Sequence, residues 1–160
     1  MNILFEHHPS FLYDYLYTSF KTYKQLIKFY TSSKILIHHL KKINLEKLFY
    51  TPKTNNEIMC AVYDWCHNPE KAIKIYGHIS SWNTSYITDM SNLFYSKYSF
   101  NDNIEEWNVS NVIKMYWMFG NAYSFNQPIE QWDVSNVIHM EYMFINAENF
   151  NQPLNKWDVS

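Results

Sequence analysis

The sequence predicts an α/β solenoid in which short coils, each made of a strand and a short helix, follow a helical N-terminal segment. The first observation behind this prediction is a 25-residue repeat in the C-terminal half of the chain. The second is a change of apolar spacing inside each repeat, from two residues to three or four. The third is a pair of helix start and stop signals before the first repeat.

Aromatic and apolar residues recur with a fixed step of 25 residues from residue 79 onward. Chance does not produce so many matched columns, and self-similarity at such a period is the signature of a repeat architecture. Full units begin at residues 79, 104 and 129, and a partial unit begins at 154. The main columns are Trp82, Trp107, Trp132 and Trp157; Met90, Met115 and Met140; Phe94, Phe119 and Phe144; and Phe100, Phe125 and Phe150.

Each unit opens with the apolar spacing of a leucine-rich repeat, L-x-x-L-x-L, with tryptophan in the second apolar slot. In the third unit these residues are Ile129, Trp132 and Val134. Alternate side chains of a strand point the same way, so Trp132 and Val134 predict a short strand.

The next stripe of each unit has the spacing of a helix, because its members fall on one helical face. Asn126, Gln127 and Pro128 then predict a turn into the next unit, since proline cannot pair within a strand ladder. The recurring serine and asparagine residues are interpreted as ladders that bond neighbouring coils. The stripe of the second unit consists of Val112, Met115, Phe119 and Ala122.

Residues 54–78 predict a helical cap on the first of the coils that make up 79–160. Thr54 and Glu57 have the spacing of a capping box. Asn68 followed by proline predicts the start of a second short helix. Gly77 predicts the end of that helix in a left-handed conformation. A stack of repeats needs such a lid, because its terminal unit otherwise exposes an apolar face.

Residues 1–53 are basic and rich in aromatic residues, and an amphipathic helix is predicted from Ser10 to about Tyr30. They carry eight lysines and three acidic residues, a net charge of +5, whereas residues 54–160 carry five lysines and twelve acidic residues, a net charge of −7. The segment either packs against the solenoid, docks to another protein, or contacts an anionic lipid or a nucleic acid.

No catalytic, metal or cofactor site is predicted. The two glycines of the chain argue against a glycine-rich phosphate loop, and Cys60 and Cys66 lack the spacing of a zinc site. No nucleophile motif is present. Asp133 and Asp158 share their repeat position with asparagines, which favours hydrogen bonding over acid–base chemistry. We therefore do not expect an enzyme.

The same sequence predicts an intracellular, non-secreted protein. The first residues lack the basic and long apolar regions of a signal peptide. Two cysteines cannot form a disulfide framework, which favours a reducing compartment. No apolar run approaches the roughly 18 residues of a membrane span.

A longer signature runs through the units. In the third unit it consists of Trp132-Asp133-Val134-Ser135-Asn136-Val137, Met140-x-x-Met143-Phe144 and Phe150-Asn151-Gln152-Pro153. At these residues the chain resembles the BspA-like branch of leucine-rich repeats, also known as a mycoplasma surface-lipoprotein repeat. The resemblance covers about residues 58–160 and implies a binding scaffold without catalytic activity. Without an export signal, the chain is expected to be an intracellular member, in a host cytoplasm or a virion if it is encoded by a large DNA virus.

Two surfaces are candidate protein-binding sites. Trp117 and Tyr142 lie one repeat apart, outside the core columns, and neighbouring exposed aromatic residues often anchor interfaces. The second surface is the concave face, lined by strand residues between the core positions, because solenoids commonly bind partners there. Its candidate residues are Glu106, Asn108, Gln131 and Asp133.

These observations predict a non-catalytic scaffold for protein–protein interaction, with an unidentified protein as partner. One alternative is a structural subunit that self-associates through its C-terminal coil. The other is a lipid or nucleic-acid tether that acts through residues 1–53. Neither nucleic acid nor a membrane is the expected partner, and the absence of arginine argues against nucleic acid in particular.

Overall fold

The computed structural model describes residues 49–160, and the predictions for residues 1–48 lie outside this part of the chain. The described residues form two α-helices, α1 (Asn55–His67) and α2 (Pro69–Tyr76), followed by a 3-10 turn at Ile79–Ser81. The rest of residues 49–160 consists of turns and irregular segments joined by isolated parallel bridges. Neither helix is long and apolar enough to cross a membrane.

Both helices begin at their predicted capping residues, and α2 ends at the predicted glycine. The Thr54 hydroxyl accepts a hydrogen bond from the backbone N–H of Glu57 at 3.2 Å. The Glu57 carboxylate in turn accepts from the backbone N–H of Lys53 at 2.7 Å. The Asn68 side chain caps the start of α2. Gly77 ends α2 with a φ of 68°, which glycine adopts without a Cβ penalty.

Successive units lie side by side and are joined by backbone hydrogen bonds. The N–H of Met90 donates to the carbonyl of Lys114 at 2.8 Å, and the N–H of Met115 donates to the carbonyl of His139. Through the second unit, every second backbone N–H donates to a carbonyl of the third unit. Trp117, Phe119 and Asn121 donate to Glu141, Met143 and Ile145, respectively. We call these three segments, residues 88–96, 113–121 and 138–146, the inter-unit ladder.

The inter-unit ladder lies where the sequence predicts a helix, and that local prediction is wrong. Residues 112–122 form turns, and the described residues contain no α-helix after Tyr76. In one of these turns the N–H of Gly120 donates to the carbonyl of Trp117 at 3.0 Å. Such turns return every third or fourth side chain to the same face, which reproduces the apolar spacing of a helix.

The predicted strand at the start of each unit does not form: a turn precedes it, and residues 132–134 have no regular secondary structure. The N–H of Trp132 donates to the carbonyl of Ile129 at 3.1 Å, within its own unit. Trp132 and Val134 are nevertheless both buried. The spacing therefore identified which side chains face the core, while the backbone hydrogen bonds between units form elsewhere.

Columns of aromatic rings form the core between the units. The ring centroid of Phe119 lies 5.4 Å from that of Phe94 and 5.6 Å from that of Phe144, with nearly parallel planes. A second phenylalanine column stacks beside the first. Each buried aromatic side chain removes about 150–250 Å² from water, so these columns are a main source of stability.

The tryptophan column adds a hydrogen bond to each interface between units. The indole nitrogen of Trp107 donates to the carbonyl of Ile79 at 2.9 Å. Trp132 makes the same bond to Ile104 at 3.3 Å, and Trp157 repeats it in the partial unit. These carbonyls lie in the interior, where an acceptor needs a partner. Leucine cannot donate this bond, which explains why tryptophan occupies the slot.

Asparagine side chains form ladders between the units, as predicted, whereas the predicted serine side chains bond within their own units. The side-chain oxygen of Asn101 accepts from the backbone N–H of Asn126 at 2.8 Å. The Gln127 amide donates to the backbone carbonyl of Asn101, also at 2.8 Å. The next unit repeats both bonds. The recurring asparagine and glutamine residues are therefore structural.

Asn55, the first residue of α1, takes the place of a preceding unit. Its side-chain oxygen accepts from the backbone N–H groups of Thr88 and Asp89, each at 3.3 Å. In the second unit the equivalent N–H groups, on Ile113 and Lys114, donate to the carbonyl of Thr88. One side-chain amide thus replaces a backbone carbonyl and closes the start of the ladder.

Candidate functional site

Three aromatic side chains from consecutive units form a continuous row on the outer surface. The ring centroid of Trp117 lies 5.5 Å from that of Tyr95 and 5.2 Å from that of Tyr142. Tyr95 is 40% exposed and Tyr142 is 62% exposed, whereas Trp117 between them is half-buried. We call these three residues the aromatic row. Trp117 and Tyr142 are the predicted pair, and the structure brings them into contact.

The backbone beneath two members of the aromatic row is left-handed. Trp117 has a φ of 55° and Tyr142 a φ of 57°; the equivalent residue of the first unit, Asn92, has a φ of 59°. Asparagine tolerates this region, but other side chains pay roughly 1–2 kcal/mol for it. The unit imposes the conformation. Aromatic side chains at these two positions therefore carry a backbone cost that asparagine does not.

Gly120 makes room for the central ring of the aromatic row. A Cβ atom at Gly120 would lie 3.0 Å from Cε3 of Trp117 and 3.0 Å from Cδ2 of Tyr95. Real side chains essentially never approach so closely, so any larger residue displaces a ring. The aromatic row therefore requires a residue without a Cβ atom at position 120. Tyr95 was not predicted from the sequence. The available signal was that Tyr95 occupies the same repeat position as Gly120.

The structure places the four predicted polar residues at or near the surface. Asn108 accepts from the N–H and the hydroxyl of Ser110, at 3.1 Å and 2.8 Å. Asp133 accepts the same two bonds from Ser135. These bonds lower the pKa of Asp133. Both residues thus shape turns. Asn108, Gln131 and Asp133 are exposed, and Glu106 is half-buried.

Two features of residues 49–160 bear on metal binding and on the chemistry of the Cys66 thiol. No group of three His, Cys, Asp or Glu side chains in residues 49–160 is arranged to hold a metal ion. Cys66 is half-buried, and this burial raises the pKa of its thiol to about 11. At neutral pH the thiol is therefore protonated and a poor nucleophile.

A cleft of about 420 Å³ between α1 and the first unit was missed by sequence reasoning. It lies around Trp65, whose indole nitrogen donates to the Asp102 carboxylate at 2.8 Å. Lys97 also lines it, with its ammonium group 5.1 Å from the ring centroid of Tyr63. Lys97 and Asp102 both depart from the residues of the later units, and that departure was the available signal.

Core positions of the third unit and of the partial unit are partly exposed at the far edge of the array. Trp157 and Phe150 are half-buried, whereas Trp132 and Phe125, one unit earlier, are buried. Val159 is 70% exposed, although its counterpart Val134 is buried.

The chain matches one known protein family. Residues 62–160, more than half of its length, match the family described as mycoplasma proteins of unknown function, DUF285. The chain belongs to this family. The DUF285 match covers the three full units, the partial unit and α1 from Val62 onward. It confirms the resemblance to the mycoplasma repeat. No curated protein and no solved structure matches the chain.

Proposed function

We propose that this chain is a non-catalytic scaffold for protein–protein interaction, built as a short leucine-rich-repeat-like solenoid. The inter-unit ladder and the stacked phenylalanine columns support the solenoid, because each unit contacts its neighbours through the same bonds. Membership of a family of unknown function is compatible with this role.

The observation that carries the proposal is the left-handed backbone of Trp117 and Tyr142. Aromatic side chains kept at positions that disfavour them indicate a use other than folding. Exposed tyrosine and tryptophan side chains supply much of the binding energy of protein interfaces. The aromatic row is therefore the proposed contact surface for a protein partner.

The test compares three forms of the full chain as bait in nuclease-treated extracts of the source cells, with bound proteins identified by mass spectrometry. The first is the parent chain, and the second carries Trp117→Asn and Tyr142→Asn. The third carries Tyr98→Asn and Tyr123→Asn, a control pair that is also stacked and exposed, with centroids 5.1 Å apart. The control removes similar aromatic area without touching the aromatic row.

A discrete protein that is retained by the parent and the control but lost by the Trp117 and Tyr142 variant supports the proposal. The same protein retained by all three forms contradicts it. Circular dichroism and urea unfolding of each form show that loss of binding is not loss of fold.

Self-association through the C-terminal edge is a second candidate, in which the half-buried rings of Phe150 and Trp157 meet a second copy of the chain. Sedimentation velocity at increasing concentration tests it. If this edge joins two copies, Val159→Asp abolishes the association and Ser160→Asp, its exposed neighbour, leaves most of it. A chain that stays monomeric over the whole concentration range contradicts this candidate.

A further inference from the structure

Two charged residues of the first unit break the repeat pattern where that unit meets α1. Lys97 stands at a position that holds buried alanines, Ala122 and Ala147, in the later units. Asp102 stands at a position that holds glutamine in both later units. The repeat itself does not require a charge at either position, so both charges belong to the contact between α1 and the first unit.

Both side chains line the cleft of about 420 Å³. This volume lies within the roughly 300–1,000 Å³ of small-molecule sites. Trp65 and Phe100 give the cleft an apolar wall, and the hydroxyl groups of Ser96 and Ser99 also line it. A ligand that suits this lining combines an apolar part with charged groups.

Within the described residues, the two charges of the cleft have neutral partners. The Asp102 carboxylate accepts from the Trp65 indole, and the Lys97 ammonium faces the Tyr63 ring. Lys97 and Asp102 do not form an ion pair with each other. A ligand that carries both a carboxylate and an ammonium group can therefore form one charge-assisted contact with each of these two side chains.

We propose that this cleft binds a free α-amino acid with an apolar side chain. The carboxylate of the amino acid meets Lys97, its ammonium group meets Asp102, and its side chain lies against Trp65 and Phe100. The site is separate from the aromatic row, so the two proposals stand or fall independently.

The first experiment titrates the full chain by calorimetry with L-phenylalanine and with two analogues that each lack one charge. These are 3-phenylpropionate, which keeps the carboxylate, and phenethylamine, which keeps the ammonium group. Each analogue is expected to bind about tenfold more weakly or worse, because it loses one charge-assisted contact.

The second experiment uses substitutions that the repeat itself supplies. Lys97→Ala installs the residue of the later units, and Asp102→Gln keeps an oxygen that can accept from Trp65. Each substitution is expected to weaken the binding of L-phenylalanine about tenfold. Lys97→Ala leaves the affinity for phenethylamine unchanged, and Asp102→Gln leaves the affinity for 3-phenylpropionate unchanged. Lys114→Ala, an exposed lysine of the second unit, is the control and leaves all three probes unchanged.

Failure of L-phenylalanine, L-leucine and L-methionine to bind in the millimolar range overturns the proposal. Binding that neither variant weakens also overturns it, because the ligand then lies elsewhere. If Lys97→Ala abolishes binding while Asp102→Gln strengthens it, the cleft binds simple anions and the amino-acid assignment is wrong.

Discussion

The indole nitrogen of Trp107 donates a 2.9 Å hydrogen bond to the backbone carbonyl of Ile79, which belongs to the preceding unit. Both residues are buried, so this bond satisfies two polar groups that water cannot reach. It is also a member of a series, because Trp132 and Trp157 repeat it. The unit therefore depends on the donor as well as on the ring.

Trp107→Phe keeps an aromatic ring and removes the donor. We expect the free energy of unfolding to fall by about 1–3 kcal/mol, because the Ile79 carbonyl is left without a partner in the interior. Urea unfolding measures the change. Trp157→Phe is the matched control and has a smaller effect, since the Trp157 ring is only half-buried. Equal losses in both variants contradict this explanation.

Tyr142→Asn tests the cost of the left-handed backbone. Asparagine already occupies this conformation at position 92, and we expect the variant to gain up to about 1 kcal/mol in unfolding free energy. Tyr123→Asn serves as the comparison because Tyr123 is exposed and is not left-handed. Thermal or urea unfolding gives both values. If Tyr142→Asn loses as much stability as Tyr123→Asn, the left-handed backbone at Tyr142 carries no measurable cost.

Asn55→Ala tests the closure of the inter-unit ladder by α1. The substitution leaves the N–H groups of Thr88 and Asp89 without their acceptor. We expect a loss of about 1 kcal/mol, together with faster hydrogen exchange at these two amides. Asn56→Ala, at the exposed neighbouring position of the same helix, leaves exchange unchanged. Unaltered exchange in Asn55→Ala shows that the ladder does not need this cap.

Acidification tests the turn that Asp133 makes with Ser135. Hydrogen bonds from Ser135 lower the pKa of Asp133, so the folded state favours the carboxylate. This contribution is present above the unfolded pKa of about 3.9 and is lost as the pH falls through the lower folded value. Asp133→Asn keeps an acceptor, as Asn108 does for Ser110, and removes the titration. The stability of the parent relative to this variant should therefore decline below about pH 4. If the stabilities of the parent and of Asp133→Asn change with pH in parallel, the Asp133 carboxylate does not make this contribution.

The sequence identified the core because the columns repeat. The 25-residue step selected Trp107, Phe119 and Phe125, and all three are buried. Hydrogen-bonding side chains were predictable for the same reason, since Asn101 and Gln127 recur with the core. The capping signals at Thr54, Asn68 and Gly77 are local chemistry, which a single sequence carries directly.

The local backbone was not predictable from the apolar spacing. Val112, Met115, Phe119 and Ala122 have helical spacing, yet repeated turns give the same spacing while the alternate N–H groups bond to the next unit. The overlooked signal was asparagine at positions 92, 121 and 146, because asparagine favours the left-handed region that interrupts a helix. The cleft was missed because it depends on how α1 lies against the first unit, which no repeat describes.

The substitution of one Asn55 amide for a backbone carbonyl has a consequence for how such chains change in length. Each unit bonds to the units beside it, through ladder bonds to the next unit and side-chain bonds that reach 25 to 28 residues back. An in-frame duplication of the second unit supplies the same bonding side chains at the new junctions. Gene duplication can therefore lengthen the array in single steps, whereas a duplication that includes residues 54–78 interrupts the register with a second lid.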